Sequence, residues 1–214
     1  ATLCFLDVTN LSWNIKKYVF ILLLLVTFFV GINIFPQSAD AGNYKAFYWM
    51  NASDEFFFEY STDDSFIDWG YMWIHTLVKS FGGEFIVTYI LTCVLALILY
   101  YKSFVKYSSY IFIAWFTLFC RYFEAQNVVQ IRQGLGTAIL LFAVRYVCDK
   151  KIIKFILCIL IATLIHRAMI VGVIIYPVYW LRWNIRKYVL AVLLSIGLYI
   201  YPLTDFIFLQ VAPA

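Results

Sequence analysis

The sequence predicts an all-α membrane protein, a polytopic bundle of about seven transmembrane helices, some of them short. Two observations carry this prediction. The 214 residues are 64% hydrophobic and 13% charged, with a mean hydropathy of +0.86, which is far from the composition of soluble domains. The apolar residues also form continuous runs rather than the alternating pattern of transmembrane strands. Within such runs only helices satisfy their own backbone hydrogen bonds in hydrocarbon.

Seven apolar runs define the predicted spans. Several approach the roughly 20 residues that cross the hydrocarbon core, and the others do so only with their polar flanks. The runs are 18–35, 85–101, 110–120, 135–144, 152–165, 168–181 and 188–208. No small-residue cleavage site follows the first run, which favours an uncleaved span over a signal peptide. We interpret residues 1–214 as one integral membrane domain and expect the chain to be incomplete at both ends.

The positive charges orient these spans. We place the N-terminus in the cytoplasm and let residues 152–165 and 168–181 form a hairpin that turns at His166 and Arg167. Eleven of the 16 Lys and Arg residues then lie at cytoplasmic ends, and ten of the 12 acidic residues lie at the other end. Cytoplasmic loops of membrane proteins are enriched in Lys and Arg. The sequence therefore predicts a cytoplasmic N-terminus and an acidic outer face.

With this topology, a group of polar side chains collects at the outer ends of the helices. Ionisable groups at membrane depth cost about 2.5 kcal/mol or more, so they mark cavities or functional sites. A guanidinium group matches the geometry of a phosphate, and the first turn of the fourth helix adds free backbone N–H donors. We therefore predict an anion site for a lipid-linked phosphate or pyrophosphate. The members of the group are Arg121, Glu124, Gln126, Gln130, Arg132, Gln133, His166 and Arg167, together with Asp40 and Asn43 after the first span.

Simpler alternatives exist for these residues. Arg121 and Arg132 would reach lipid headgroups while their stems stay in hydrocarbon, and Glu124 would pair with Arg121. His166 is either a general base, since a neutral imidazole titrates near the working pH, or a structural hydrogen-bonding group at a helix end. The occurrence of three arginines and a histidine together on the less basic face favours the anion site.

Residues 36–84 form a long acidic and aromatic loop, predicted to be periplasmic and to contain an amphipathic helix over 68–80 that Gly82 and Gly83 close. Its rings belong either to the interfacial aromatic belt or to a sugar-binding lid, in which rings stack on pyranose faces and acids accept hydrogen bonds from hydroxyls. In the second interpretation Asp68 and Tyr71 bind substrate. The loop lacks a calcium-loop pattern, and the five cysteines lack zinc or disulfide spacing. No metal and no cofactor is therefore expected.

Four segments resemble the EpsG-like and Wzy-type bacterial polysaccharide polymerases. They are "IRQGLGTAILLFAVRYV" at 131–147, "ILIATLIHRAMIVGVIIY" at 159–176, "ADAGNYKAFY" at 39–48 and "DWGYMWIHTLVKSFGG" at 68–83. Members of that family show an arginine and a glutamine that open a small-residue helix, and then an alanine and a histidine before an apolar run. The order of the segments carries the resemblance, which covers most of the chain after residue 36.

The resemblance implies a glycosyltransferase of the bacterial plasma (inner) membrane that polymerises undecaprenyl-pyrophosphate-linked oligosaccharides, as in O-antigen or exopolysaccharide synthesis, at the periplasmic face. Arg132 would then hold the donor pyrophosphate. Arg167 or Arg121 would hold the phosphate of the second lipid-linked substrate. His166 or Asp40 would act as base on the acceptor hydroxyl.

The resemblance also implies partners and leaves alternatives. The expected partners are the lipid-linked oligosaccharides, membrane lipid, a chain-length regulator and a flippase, and no nucleic acid. An O-antigen ligase-type transferase would use the same phosphate site with a different acceptor. A non-enzymatic transporter or flippase is the other alternative, and it would hold charges near the midplane and often show inverted repeats. Here the charges lie at one end of the helices.

Overall fold

The computed structural model describes residues 12–38, 40–51, 68–180 and 184–200. These residues form helices and no strand, so the all-α prediction is confirmed. The helices are α1 Trp13–Ile34 with a 3₁₀ turn Phe35–Gln37, α2 Ala41–Asn51, α3 Trp69–Ser80, α4 Phe85–Tyr107, α5 Ile111–Thr117, a π-helical segment Leu118–Val129, α6 Ile131–Cys148, α7 Ile152–Ile165, a 3₁₀ segment Arg167–Ile174, α8 Ile175–Trp180 and α9 Ile185–Ile200. The chain divides into two compact units, Ala1–Tyr176 and Pro177–Ala214.

Three helices in the described ranges are long and apolar enough to cross a membrane, and three others are apolar but shorter. The long ones are Trp13–Gln37, Phe85–Tyr107 and Ile131–Cys148, and the shorter ones are Ile111–Arg121, Ile152–Ile165 and Arg167–Trp180. The chain thus has the build of a multi-pass membrane protein, while the count of about seven spans stays a prediction. Residues 52–67 of the predicted loop and residues 201–208 of the last predicted span lie outside the described residues.

Aromatic contacts show that α1 and α4 run antiparallel. Phe35, just after α1, stacks on Tyr89 near the start of α4, with ring centroids 3.9 Å apart and ring planes 6° apart. Phe20, near the start of α1, packs at 5.9 Å against Tyr101 near the end of α4. Gly31 permits the close approach, because a Cβ there would lie 2.6 Å from the Tyr89 hydroxyl oxygen. The end of α1 and the beginning of α4 therefore lie together.

Helix α6 runs in the same direction as α4 but begins deeper in the bundle. Tyr100, far along α4, donates a hydrogen bond from its hydroxyl to the carbonyl of Gly134 in the first turn of α6, at 3.3 Å. Lys106, in the last turn of α4, lies 3.8 Å from Asp149, which follows α6. The first turn of α6 therefore lies deeper in the bundle than the end of α1 and the start of α4.

The predicted hairpin at His166 is confirmed. Helix α7 ends at Ile165, and His166 adopts extended backbone angles of φ −154° and ψ 114°. Phe155, in the first turn of α7, packs against Tyr176 with ring centroids 5.5 Å apart, a contact that requires the chain to reverse. Gly172 lets the returning segment approach closely, because a Cβ there would meet side chains of α6 and α7. The reversal leaves His166 and Arg167 at the tip of the hairpin.

Helix α3 packs on this hairpin tip. Its range agrees with the predicted 68–80, and its end is formed by Gly82, which has φ +70° and donates its N–H to the carbonyl of Lys79 at 2.8 Å. At the other end, Gly70 packs directly on the α7 backbone, because a Cβ at Gly70 would lie 2.8 Å from the carbonyl oxygen of Leu164. This contact brings Asp68 next to the tip of the hairpin.

Candidate functional site

The buried carboxylate of Asp68 joins three basic side chains that are far from it in sequence. Its Oδ1 lies 2.8 Å from Nε of Arg167, and its Oδ2 lies 3.3 Å from Nη1 of Arg132. The same Oδ2 lies 3.4 Å from Nδ1 of His166, without the alignment of a hydrogen bond. We call these four residues the Asp68 cluster.

Asp68 occupies the N-cap position of α3, yet its side chain does not cap the helix. An aspartate at an N-cap usually accepts a hydrogen bond from an N–H group of the first turn. Here the backbone carbonyl accepts from Tyr71 and Met72, at 3.0 and 3.1 Å, and the carboxylate contacts the basic residues instead. Its side chain is only 7% exposed. The surrounding positive charges therefore compensate a buried charge that would otherwise be costly.

Arg132 is the most enclosed basic residue of the cluster, with a side chain that is 13% exposed. It lies in the first turn of α6, where backbone N–H groups have no partner within the helix. Its guanidinium lies over the ring of Tyr44, 5.6 Å from the centroid, and its Nε donates to the Tyr44 hydroxyl at 3.4 Å. Asp68 and Tyr44 together hold the planar guanidinium in one orientation.

Arg167 and His166 are the accessible members of the cluster, with side chains that are 61% and 27% exposed. Arg167 meets Asp68 through Nε alone, so its two Nη groups remain for a ligand. His166 faces Asp68 with Nδ1, which leaves Nε2 for a ligand. Within the cluster two guanidinium groups face one carboxylate, and the arrangement can bind an anion beside an imidazole.

A buried aromatic layer formed by Tyr44, Tyr71 and His75 adjoins the cluster. Tyr71 contacts Tyr44 edge to face at 5.8 Å and His75 at 4.7 Å between ring centroids. Burial raises the pKa of the Tyr71 hydroxyl well above its usual range, so the group stays neutral. Burial, with the charge of Arg132 as a second cause, lowers the pKa of His75 to about 3. This layer is therefore an uncharged support for Arg132.

His75 is a residue that the sequence patterns did not single out. A signal for it exists in the spacing of Asp68, Tyr71 and His75, at i, i+3 and i+7, which places all three on one face of a helix. Both ring nitrogens of His75 are buried without a hydrogen-bond partner among the described residues. A neutral imidazole is the form that such an environment tolerates.

The other predicted site residues stand apart from the cluster. Gln133 is half-buried in the first turn of α6 and Arg121 is exposed on the π-helical segment, and neither side chain makes an ion pair or hydrogen bond with the cluster in the described part of the chain. Asp40 lies before α2, where its carbonyl accepts a backbone hydrogen bond at 3.0 Å, and its carboxylate meets no described member of the cluster. The side chain of Glu124 lies outside the described residues. The roles of these four residues stay predictions.

Fold and site together define a class of protein, a multi-pass helical membrane protein with a recessed cluster of arginine, histidine and aspartate side chains. The model of the EpsG family matches residues 16–214. The chain belongs to the EpsG family, a family of Wzy-like polysaccharide polymerases. No curated protein and no solved structure matches it. The family resemblance of the sequence is thus confirmed, and the protein is of the polysaccharide polymerase type.

Proposed function

We propose that this protein is a glycosyltransferase that joins oligosaccharide repeat units carried on undecaprenyl pyrophosphate, at the periplasmic face of the bacterial plasma membrane. The observation that carries this proposal is the Asp68 cluster, in which Arg132 and Arg167 share one carboxylate. The two guanidinium groups suit a phosphate, whose oxygens arginine binds through paired hydrogen bonds. Membership of the EpsG family supports the reaction class.

The proposed reaction moves the glycan of a donor from its pyrophosphate to a hydroxyl of an acceptor. The bond between the anomeric carbon and the pyrophosphate oxygen breaks, and its electron pair stays on the lipid pyrophosphate. The acceptor oxygen forms the new glycosidic bond. Because negative charge grows on the leaving pyrophosphate, a guanidinium already oriented toward it lowers the barrier. Arg132, which Asp68 and Tyr44 hold in place, is the residue for this role.

His166 takes the proton of the acceptor hydroxyl. Its Nδ1 lies 3.4 Å from Asp68, and a carboxylate in this position orients the ring and stabilises the imidazolium that forms. Nε2 is then the nitrogen that accepts the proton. Asp40 is the other predicted base, but it lies outside the cluster, so His166 is the better candidate.

Arg167 holds the phosphate of the second lipid-linked substrate. It lies at the hairpin tip, and its exposed side chain leaves both Nη groups for a ligand. Helix α7 has 14 residues and is about 21 Å long, which is shorter than the hydrocarbon core of about 30 Å. A tip on so short a helix lies near or below the membrane surface, where a lipid carries its phosphate.

The charge distribution supports the proposed orientation in the membrane. Lys106 and Lys151 flank Asp149 at the opposite end of α6, at 3.8 and 3.4 Å, and basic residues are typical of cytoplasmic ends. The N-terminus would then be cytoplasmic and the Asp68 cluster periplasmic. Besides its lipid-linked substrates and membrane lipid, we propose a chain-length regulator and a flippase as partners.

The glycan profile of a native host tests the proposal. A strain that lacks the protein is complemented with wild type, with Arg132→Ala, or with the control Lys102→Ala, which removes an exposed basic side chain of α4. All proteins are brought to equal levels. We expect single-repeat products in the deletion and Arg132→Ala strains, and long polymer with wild type and Lys102→Ala.

Other outcomes point elsewhere. An unchanged chain-length distribution in the Arg132→Ala strain contradicts the role of Arg132. Full-length polymer that accumulates on lipid in the deletion strain indicates a ligase, and repeat units trapped inside the cell indicate a flippase. An unchanged glycan profile in the deletion strain rules out a role in polysaccharide assembly in that host.

A further inference from the structure

A second concave surface lies on a different face of α2 from the one that contacts Arg132. It has a volume of about 530 Å³, which is in the range of small-molecule sites. Its walls are the end of α1, helix α2 and the start of α4. We call it the α2 groove, and the lining residues that matter are Phe35, Gly42, Lys45, Trp49, Glu84 and Phe85.

Helix α2 connects this groove with the Asp68 cluster. Tyr44 is buried and contacts Arg132, whereas its neighbour Lys45 and the next residue on that face, Trp49, are exposed and line the groove. One short helix thus positions residues of both sites. Their separation is therefore on the order of a helix diameter, about 10 Å.

The floor of the groove is a fixed stack of aromatic rings. Phe35 stacks on Tyr89 at 3.9 Å and packs against Phe85 at 5.6 Å. Tyr48 packs against Phe85 at 5.8 Å and meets Trp49 edge to face at 5.4 Å. Trp49 itself is 56% exposed. Lys79 Nζ lies over the Trp49 ring at 5.9 Å from its centroid, and the rest of the exposed indole remains for a ligand.

Two opposite charges flank this floor without pairing. Glu84 is at the N-cap position of α4, but its carboxylate does not cap the helix, and both Glu84 and Lys45 are exposed. Neither side chain makes an ion pair or hydrogen bond with a residue that the structure describes. A hydrocarbon chain in the groove would displace water from both charges without replacing its hydrogen bonds. A phosphate would be repelled by Glu84. A sugar ring offers apolar C–H faces to the aromatic rings and hydroxyls that both donate and accept.

We propose that the α2 groove binds a pyranose ring of the glycan carried by the lipid-linked substrate. This inference rests on the proposed function and divides recognition between two sites, the pyrophosphate at the Asp68 cluster and the sugar in the groove. Trp49 and Phe85 contact the apolar face of the ring, Glu84 accepts from its hydroxyls and Lys45 donates to them. An oligosaccharide that extends a few rings from its pyrophosphate spans the distance between the sites.

Substitutions of Gly42 test whether the α2 groove binds the sugar. A Cβ at this position would meet nothing within 4 Å, so the side chain of a leucine there would start in open space and extend into the groove. Gly42→Ala is the matched control, because it adds one methyl group and improves helix propensity. The probe is the free oligosaccharide of one repeat unit, released from the host lipid by mild acid so that it carries neither lipid nor phosphate. Binding to the purified protein in detergent is followed by saturation-transfer NMR.

Wild type, Gly42→Ala and the control Lys102→Ala, which removes an exposed side chain of α4, are expected to bind the oligosaccharide with equal affinity. Gly42→Leu and Trp49→Ala are expected to bind about tenfold more weakly or worse, with gel-filtration profiles like that of wild type. No binding by wild type, or equal binding by Gly42→Leu, overturns the inference. Failure of the proposed function would be seen in a different experiment, the glycan profile, as long polymer in the Arg132→Ala strain.

Discussion

Asp68 and Arg167 lie 2.8 Å apart between Oδ1 and Nε, although the first side chain is 7% exposed and the second is 61% exposed. This contact connects the beginning of α3 to the tip of the α7 hairpin. Asp68 also contacts Arg132 of α6, so one carboxylate fixes three elements relative to one another. The cluster is thus both a structural junction and a candidate site, and stability and activity measurements separate these roles.

Asp68→Asn is expected to destabilise the protein and to abolish polymer formation. The amide keeps the size of the carboxylate but leaves Arg132, which is 13% exposed, without its opposite charge. Loss of the partner of a largely buried charge costs about 1–3 kcal/mol. Thermal unfolding in detergent measures the change in stability, and the glycan profile measures the change in activity.

A double variant checks the coupling between these two residues. The double variant of Asp68→Asn and Arg132→Gln is expected to cost less than the sum of the two single variants, because both single changes remove the ion pair between these two side chains. Strictly additive losses would show that the two side chains act independently. The carboxylate would then not be what holds Arg132.

Gly70→Ala tests whether α3 must touch α7 for the cluster to form. The new methyl group would lie 2.8 Å from the backbone carbonyl of Leu164, which cannot rotate away as a side chain can. We expect a loss of about 1–3 kcal/mol in the free energy of unfolding and shorter polymer. Gly42→Ala is the matched control, since its methyl group would meet nothing within 4 Å. Equal thermal shifts for the two variants would contradict the importance of this backbone contact.

Features that depend on neighbours in sequence were predictable, and those that depend on packing were not. Gly82 ends α3 and His166 turns the hairpin as the local patterns indicate. The contact between Asp68 and the arginines requires Gly70 to pack on α7, a tertiary contact that leaves no periodic signal. The sequence therefore assigned Asp68 to sugar hydroxyls and missed it as the centre of the cluster. Likewise, nothing in the apolar run 110–120 signals the π-helical segment that begins at Leu118.

His75 is expected to make stability depend on pH. Its pKa is lowered to about 3 by burial and by Arg132, whereas an imidazole in the unfolded chain has a pKa of about 6.5. Below that pH the unfolded state binds a proton that the folded state does not. The contribution of His75 is therefore complete above about pH 6.5 and is lost as the pH falls toward 3, by up to about 1.4 kcal/mol per pH unit.

The variant His75→Phe is expected to reduce this slope. A phenyl ring suits the site, because the imidazole packs among Tyr48, Tyr71 and Phe85 at centroid distances of 5.5, 4.7 and 6.0 Å. Thermal unfolding of wild type and variant is compared between about pH 7 and pH 5, the range in which an unfolded histidine gains its proton. Identical slopes for wild type and His75→Phe would assign the pH dependence to other groups.

Arg132→Lys and Arg167→Lys are expected to differ in severity. Arg132 uses Nη1 for Asp68 and Nε for Tyr44 while its plane lies over the Tyr44 ring, and a lysine ammonium cannot make these contacts together. Arg167 meets Asp68 through Nε alone and is mostly exposed, so a lysine there keeps much of its interaction with a phosphate.

The measurement is the initial rate of polymer formation in membrane vesicles supplied with lipid-linked repeat units. Arg132→Lys is expected to lower this rate by about a hundredfold or more, as loss of an oriented donor to a leaving group does. Arg167→Lys is expected to lower it by about tenfold or less, because a lysine still provides a point charge for the phosphate. Equal losses would mean that both arginines act only through their charge, and the fixed orientation of Arg132 would then have no part in stabilising the departing pyrophosphate.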